Sequence, residues 1–187
     1  MCIRDRIRRV SLLEDDELIA LVTKHWGKLD GATREERLAE VRRLNNDLRA
    51  AGGNTAEGKQ LFKKHCASCH QLFGEGTKLG PDLTSANRGD RDHLLVSLVD
   101  PSSVIRKEYV SLIVQTRDGR VVTGLPMGRD DSGITLRTAK NEQIVIATSD
   151  VDEVRESPVS LMPEDLYRQF KPQELRDLFA YLQAAAP

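Results

Sequence analysis

Apolar residues recur every three to four positions in the first and last parts of the chain and alternate more closely in between, which divides the sequence into helical, β and again helical territory. Ser11-Leu12-Leu13-Glu14 has the form of a capping box, and Leu18, Leu21, Val22 and Trp26 follow at helical spacing. The stretch from Gly27 to Gly31 breaks this helix. Thr33-Arg34-Glu35-Glu36 then offers a second capping box, and Leu38, Val41, Leu44 and Leu48 line one apolar stripe on an otherwise charged helix that ends at Gly52-Gly53. Two amphipathic helices cannot bury both of their faces on each other. Residues 1–53 are therefore expected to form a helical hairpin, either the end of an upstream helical region or a brace for the rest of the chain, with packing as its role.

The remainder, 54–187, is expected to be a second unit. A helix starting at Asn54 runs through Gly58, Leu61 and Phe62 into His65 and Cys66, and a glycine-rich loop follows from Gly74 to Gly80. Asp90 caps a short apolar helix, Leu94 to Val99, which Asp100-Pro101 terminates. From Tyr109 the character changes. Tyr109 to Thr116 is rich in β-branched and aromatic residues, Asp118-Gly119 offers a hairpin turn into Arg120 to Leu125, and Ile134 to Thr138, Gln143 to Ala147 and Val151 to Arg155 are further short strands between turn-forming clusters. After Pro158 helix returns, with Pro172 at a first helical position and Leu175, Leu178, Phe179 and Leu182 as a buried stripe. The pattern predicts a mainly α chain with a small antiparallel sheet or barrel inserted at 108–157.

Composition narrows the reading only a little. A formal net charge of -1 points neither to nucleic acid nor to an acidic membrane surface. No apolar run approaches the roughly 18 to 20 residues of a membrane span, and Met1-Cys2-Ile3-Arg4-Asp5-Arg6 lacks the apolar region of a secretory signal. Aromatic residues make up only 4%, which leaves room for a large planar cofactor to supply apolar bulk. The three cysteines do not suggest a disulfide framework, because two of them stand three positions apart with a histidine directly after the second.

Cys66-Ala-Ser-Cys69-His70 carries the chemistry. In this spacing each thiol can form a thioether to a haem vinyl group while the adjacent histidine reaches the iron. Two rivals share the residue types: a thioredoxin-type redox dithiol, and half of a zinc site built from Cys66, Cys69 and His70 with His65. The first needs a βαβ context, and the second usually brings another cysteine or histidine pair. Haem of this kind is attached outside the cytoplasm, so the expected location is periplasmic or otherwise exported, and the chain is expected to be a fragment whose export signal lies elsewhere.

Gly58-x-x-Leu61-Phe62-x-x-x-Cys66-x-x-Cys69-His70, Gly80-Pro81-Asp82-Leu83 and Leu178-Phe179-Ala180-Tyr181-Leu182 together resemble cytochrome c. Asp100-Pro101-Ser102-x-x-Ile105-Arg106-Lys107-Glu108-Tyr109 and Ser160-Leu161-Met162-Pro163-Glu164, flanking a β insert, are similar to the haem-binding domain of planctomycete-type multidomain proteins. The resemblance covers about residues 55 to 185. It implies one covalent haem c anchored by Cys66 and Cys69, with His70 as proximal ligand. The Pro81 carbonyl would accept a hydrogen bond from the second ring nitrogen of His70, Leu83 would wall the haem, and Gly58 and Phe62 would cross Leu178 and Tyr181. It also implies fusion behind propeller-type dehydrogenase-like and helical-repeat regions.

Met1, Met127, Met162, His25, His65 and His93 are all donors on paper for the sixth iron position. Met162 is the choice, since it precedes the last helix in a loop stiffened by Pro163 and a thioether there would raise the potential. The expected function is single-electron transfer from a fused or partner dehydrogenase to a respiratory acceptor, a module rather than an enzyme in itself. The alternative is a haem enzyme or a gas or peroxide sensor with an open distal site, for which His93 and Arg106 are the available side chains. A purely structural haem in an interaction module is a third reading.

Overall fold

The computed structural model describes residues 15–26 and 32–185. The helices are α1 (Asp16–Trp26), α2 (Arg34–Ala50), α3 (Thr55–His65), α4 (Arg91–Val99) and α5 (Pro172–Leu182). The strands are β1 (Gln71–Leu72), β2 (Glu75–Gly76), β3 (Leu112–Thr116), β4 (Val121–Arg129), β5 (Gly133–Arg137), β6 (Gln143–Ala147) and β7 (Val151–Glu156).

The first four helices begin where a side-chain oxygen can take up free N–H groups. Asp15 Oδ1 accepts from the N–H groups of Glu17 and Leu18 at 3.0 and 3.1 Å. At α2 the capping box is complete, with Thr33 Oγ1 accepting from Glu36 N–H at 3.2 Å and Glu36 Oε2 from Thr33 N–H at 2.7 Å. Asn54 and Asp90 cap α3 and α4 in the same way. The Ser11–Glu14 box and the Gly27–Gly31 break lie outside the described residues.

Val41, Leu44 and Leu48 of α2 are buried in the same core as Phe62 of α3, Leu95 of α4 and Leu178 of α5. Leu38 departs from the expected stripe and is 42% exposed. Gly52-Gly53 thus separates two helices while the apolar core runs across it. Within that core α3 and α5 cross closely. A Cβ on Gly58 would overlap the Asp177 carbonyl oxygen and stand 2.8 Å from Tyr181 Cβ. Phe62 meets Tyr181 at a ring separation of 5.7 Å and a tilt of 56°. Asp177 is buried in α5 and accepts from Asn54 N–H at 2.8 Å and from Gln173 Nε2 at 2.9 Å, so the capping residue of one helix is hydrogen-bonded to the side of the other.

The middle of the chain forms one antiparallel sheet in the order β6-β5-β4-β3-β7, so the last strand returns to pair with the first. Val114, Ile134, Leu136 and Ile146 give it a core of its own. Ser157 N–H donates to the Ser111 carbonyl at 2.7 Å, and the chain leaves and re-enters the helical part at neighbouring points. Mainly α is therefore not an adequate description: among the described residues, five helices stand beside a five-stranded sheet with an independent core, and the architecture is mixed. The strand boundaries differ from expectation by one residue at β5 and β7 and by more at two places. Lys107–Tyr109 is a 3-10 turn ahead of β3. β4 runs through Pro126, because a register shift between Pro126 and Gly128 makes a bulge that tolerates a residue without an N–H.

Two outcomes are expected from this packing. Gly58→Ala should lower stability by about 1–3 kcal/mol, the usual cost of forcing a methyl into a filled contact, and an unchanged urea midpoint would contradict the close crossing. In the β3–β4 turn, Thr116 Oγ1 and Arg120 Nε donate to Asp118 and hold its carboxyl down at about 2, against an ordinary 3.8. A depressed carboxylate stabilises the fold fully above its ordinary value and loses that contribution as the pH falls through its folded one. Asp118→Asn should therefore unfold more easily than the parent at pH 5 and match it below pH 2, as followed by urea titration at each pH.

Candidate functional site

Helix α3 ends by handing its last carbonyls to the motif. The N–H groups of Cys66 and Ala67 both donate to the Phe62 carbonyl at 2.8 and 2.9 Å, and those of Cys69 and His70 then donate to the Cys66 carbonyl at 3.0 and 2.8 Å. One tight turn thus sets both cysteines and the histidine on a common frame. The returning chain closes over it: Thr77 N–H donates to the Ala67 carbonyl at 3.0 Å, Thr77 Oγ1 to the Ser68 carbonyl at 2.7 Å, and Gly80 N–H to the Cys69 carbonyl at 2.7 Å.

Between these points β1 and β2 are joined by Phe73-Gly74, with φ of 52° and 82°. Positive φ at both central residues suits a two-residue hairpin, and a bulky side chain adopts it only where its surroundings compensate. Here they do. Phe73 N–H donates to Thr84 Oγ1 at 2.8 Å, its ring meets Tyr181 edge-on at 5.9 Å, and the Arg88 guanidinium lies 4.7 Å from the ring centre. Arg88 Nη1 also donates to the carbonyls of Leu182 and Ala184 at 2.8 and 2.6 Å, tying this loop to the end of α5.

His70 is held on two sides. Its Nδ1–H donates to the Pro81 carbonyl at 2.9 Å, which places the lone pair on Nε2. Gly80 lies against the ring, where a Cβ would come within 2.8 Å of Cε1. Burial pushes the His70 pKa below its ordinary 6.5, with the Pro81 hydrogen bond opposing, so the ring is neutral at neutral pH. Burial, and then the neighbouring Cys69, push the Cys66 thiol up to about 12. Cys66, Leu83 and Met162 all pack, partly buried, against the helical core.

The remaining candidates lie elsewhere. Met127 sits at the β4 bulge and is half exposed. His93 and Arg106 are exposed. His65 points at Phe170, edge-on at 4.8 Å. Met1 and the side chain of His25 lie outside the described residues. Gly76, where a Cβ would overlap the His70 carbonyl oxygen, and Thr84 and Arg88 support the motif without being singled out by the sequence as candidates. Only the Gly80-Pro81 pair had a sequence signal.

These positions separate the rival chemistries. A redox dithiol or zinc thiolate needs a thiol that ionises readily, and helix N-termini or cations usually supply the help. Cys66 follows the C-terminal end of α3, the negative end of the helix dipole, and its thiol is shifted the other way. Among the described residues no group of three or more His, Cys, Asp or Glu side chains is placed to hold a metal ion. Two partly buried, unjoined cysteines beside an imidazole with one nitrogen committed to a carbonyl suit attachment of a planar, iron-bearing group instead.

Residues 55–120 match the family model described as Cytochrome c. This stretch, about a third of the chain, is thus similar to a cytochrome c domain. A cytochrome c of Cochliobolus lunatus is 53% identical over 32 residues, 17% of this chain and 30% of that protein, so the chain spans well under half of that curated relative. A domain of this family implies haem, iron and electron transfer. The residues present fit haem c: two cysteines not joined to each other, and an imidazole that Gly80 lets lie against the backbone, with a free lone pair on Nε2. The matched stretch covers α3, the motif and Pro81, and stops before Met162 and α5. No helix among the described residues is long and apolar enough to cross a membrane.

Gly80→Ala should push on the His70 ring and loosen its bond to Pro81. In the reduced haem-loaded protein the His70 Nδ1 proton is expected to exchange with deuterium faster by tenfold or more, read by NMR. Unchanged exchange would show that Gly80 has no part in fixing the ring.

Proposed function

We propose that this chain is a single-electron carrier with one covalent haem c, anchored by Cys66 and Cys69 and ligated by His70 and Met162, with Pro81 and Leu83 completing the site. The observation that carries the reading is the 2.9 Å bond from His70 Nδ1 to the Pro81 carbonyl, because it commits the tautomer and orientation a proximal ligand needs. The haem supplies the one-electron chemistry when bound. The chain's own part is to hold His70 neutral and fixed, to surround Cys66 with apolar side chains, and to bring Met162 to the same core.

The partner in this reading is a dehydrogenase, on the same polypeptide or separate, and the acceptor is a respiratory one. Attachment of the haem places the protein outside the cytoplasm. The open-site alternative gains nothing from His93 and Arg106, both of which face solvent. Nothing in the β insert is arranged as catalytic machinery, and a role as a carrier asks for none.

Two measurements test this. Material exported through a haem-attachment system should give a pyridine haemochrome of covalent haem with one haem per chain, and Cys66→Ser or Cys69→Ser should reduce the yield. The reduced protein should be low-spin and six-coordinate, and Met162→Ala should convert it to high spin with a lower reduction potential. A Met162→Ala spectrum identical to the parent would refute the ligand assignment while leaving the attachment reading standing.

A further inference from the structure

The segment that carries Met162 has no helix or strand of its own between Glu156 and the 3-10 turn at Leu166–Gln169. Its shape therefore rests on individual hydrogen bonds. Met162 N–H donates to Ser160 Oγ at 3.1 Å, and Ser160 N–H donates to Ser102 Oγ at 3.2 Å. Ser102 Oγ in turn donates to Glu164 Oε1 at 3.1 Å, so one hydroxyl holds the loop on both sides of Met162.

The chain of bonds ends on α2. Arg37 Nη2 donates to Glu164 Oε2 at 3.1 Å, and Arg37 Nη1 pairs with Asp100, the C-cap of α4. Its Nε donates to the Ala32 carbonyl at 3.0 Å. The guanidinium thus spends all three nitrogens on fixed acceptors, and the completed capping box at Thr33 and Glu36 keeps its own helical turn rigid. The three side chains are only 11, 20 and 16% exposed, so solvent screens these pairs less than surface ones.

We propose that Arg37 is a positioning residue for the sixth ligand, clamping the Met162 loop to α2 and to the end of α4. The inference rests on the reading of Met162 as a ligand. A ligand on an irregular loop binds only from the fraction of loop conformations that reach it, and each bond fixing Ser160, Ser102 and Glu164 raises that fraction. Removing the guanidinium takes away the cation that bridges Asp100 and Glu164 and so cuts the loop's tie to α2. α2 is then part of the haem site's mechanics, although it lies outside the matched residues 55–120.

The test uses the haem-loaded protein and follows carbon monoxide uptake by the reduced form, the reduction potential and the thermal unfolding midpoint in parallel. Arg37→Leu should take up carbon monoxide at least tenfold faster than the parent, and Arg37→Lys should recover part of the difference. Ser102→Ala, a small change that leaves α2 untouched, should act in the same direction and carries the test if Arg37→Leu does not fold. Met162→Ala sets the upper limit of the effect. If Met162→Ala accelerates uptake while Arg37→Leu and Ser102→Ala stay within twofold of the parent, whatever their melting points, the positioning role is overturned. If Met162→Ala itself changes nothing, it is the ligand reading beneath it that fails.

Discussion

The close crossing of α3 over α5 is the constraint on which the site depends. Gly58 lets the backbones touch at Asp177, Phe62 and Tyr181 fill the space beside them, and the Asp177 carboxylate accepts the N–H of Asn54 at the start of α3. Contact, ring packing and hydrogen bond together fix where α3 begins and how it is directed. A helix rises about 1.5 Å per residue, so a fixed start and direction also fix where it ends. That end is where Cys66 and His70 stand. Geometry at the motif is inherited from packing a full helix away.

At the motif itself, local chemistry takes over. The loop from Gly74 to Gly80 folds back on the turn and spends its N–H groups on the carbonyls of Ala67 and Cys69, which leaves the Pro81 carbonyl positioned to accept the hydrogen bond from His70 Nδ1–H. The strained turn at Phe73 is held by Thr84, Tyr181 and Arg88, and through Arg88 it is connected to the same helix α5 that fixes α3. The motif is thus bounded on both sides by elements that answer to one helix pair.

Much of this could be read before any fold was known. The caps at Thr33, Asn54 and Asp90 are short-range features, and so is the Cys66-x-x-Cys69-His70 spacing, because their partners lie within a few residues. What escaped is of two kinds. Phe73 and Pro126 occupy backbone states that their residue types disfavour, and only neighbours distant in sequence make those states possible. Arg37 escaped for a different reason: on a helix whose exposed side is dense with charge, nothing local marks one arginine as reaching residues 63 and 127 positions away. Leu38 shows the converse. Its place in the 3.6-residue pattern fits burial, yet the partner surface stops short of it, and periodicity alone cannot say how far a partner extends. The mixed character of the chain was hidden by the same limit, since short strands advertise pairing but not that five of them join in one sheet with a core of its own.

The insert raises the question of how Met162 is brought to the same core as the motif when some ninety residues separate it from His70. Loop-closure entropy grows only with the logarithm of length, so length by itself is a modest cost. More decisive is that the insert closes on itself. β7 pairs with β3, and Ser157 bonds back to Ser111, so the chain re-enters the helical part beside the point where it left. From the helical side, the insert behaves as a short connection between residues 111 and 157. What then remains to be ordered is the stretch from Val159 to Asp165, and this is the stretch that Ser102, Glu164 and Arg37 hold. Self-closure of the sheet and the clamp on the loop are successive halves of one solution, the first making the sequence distance between His70 and Met162 irrelevant and the second making the last few residues definite.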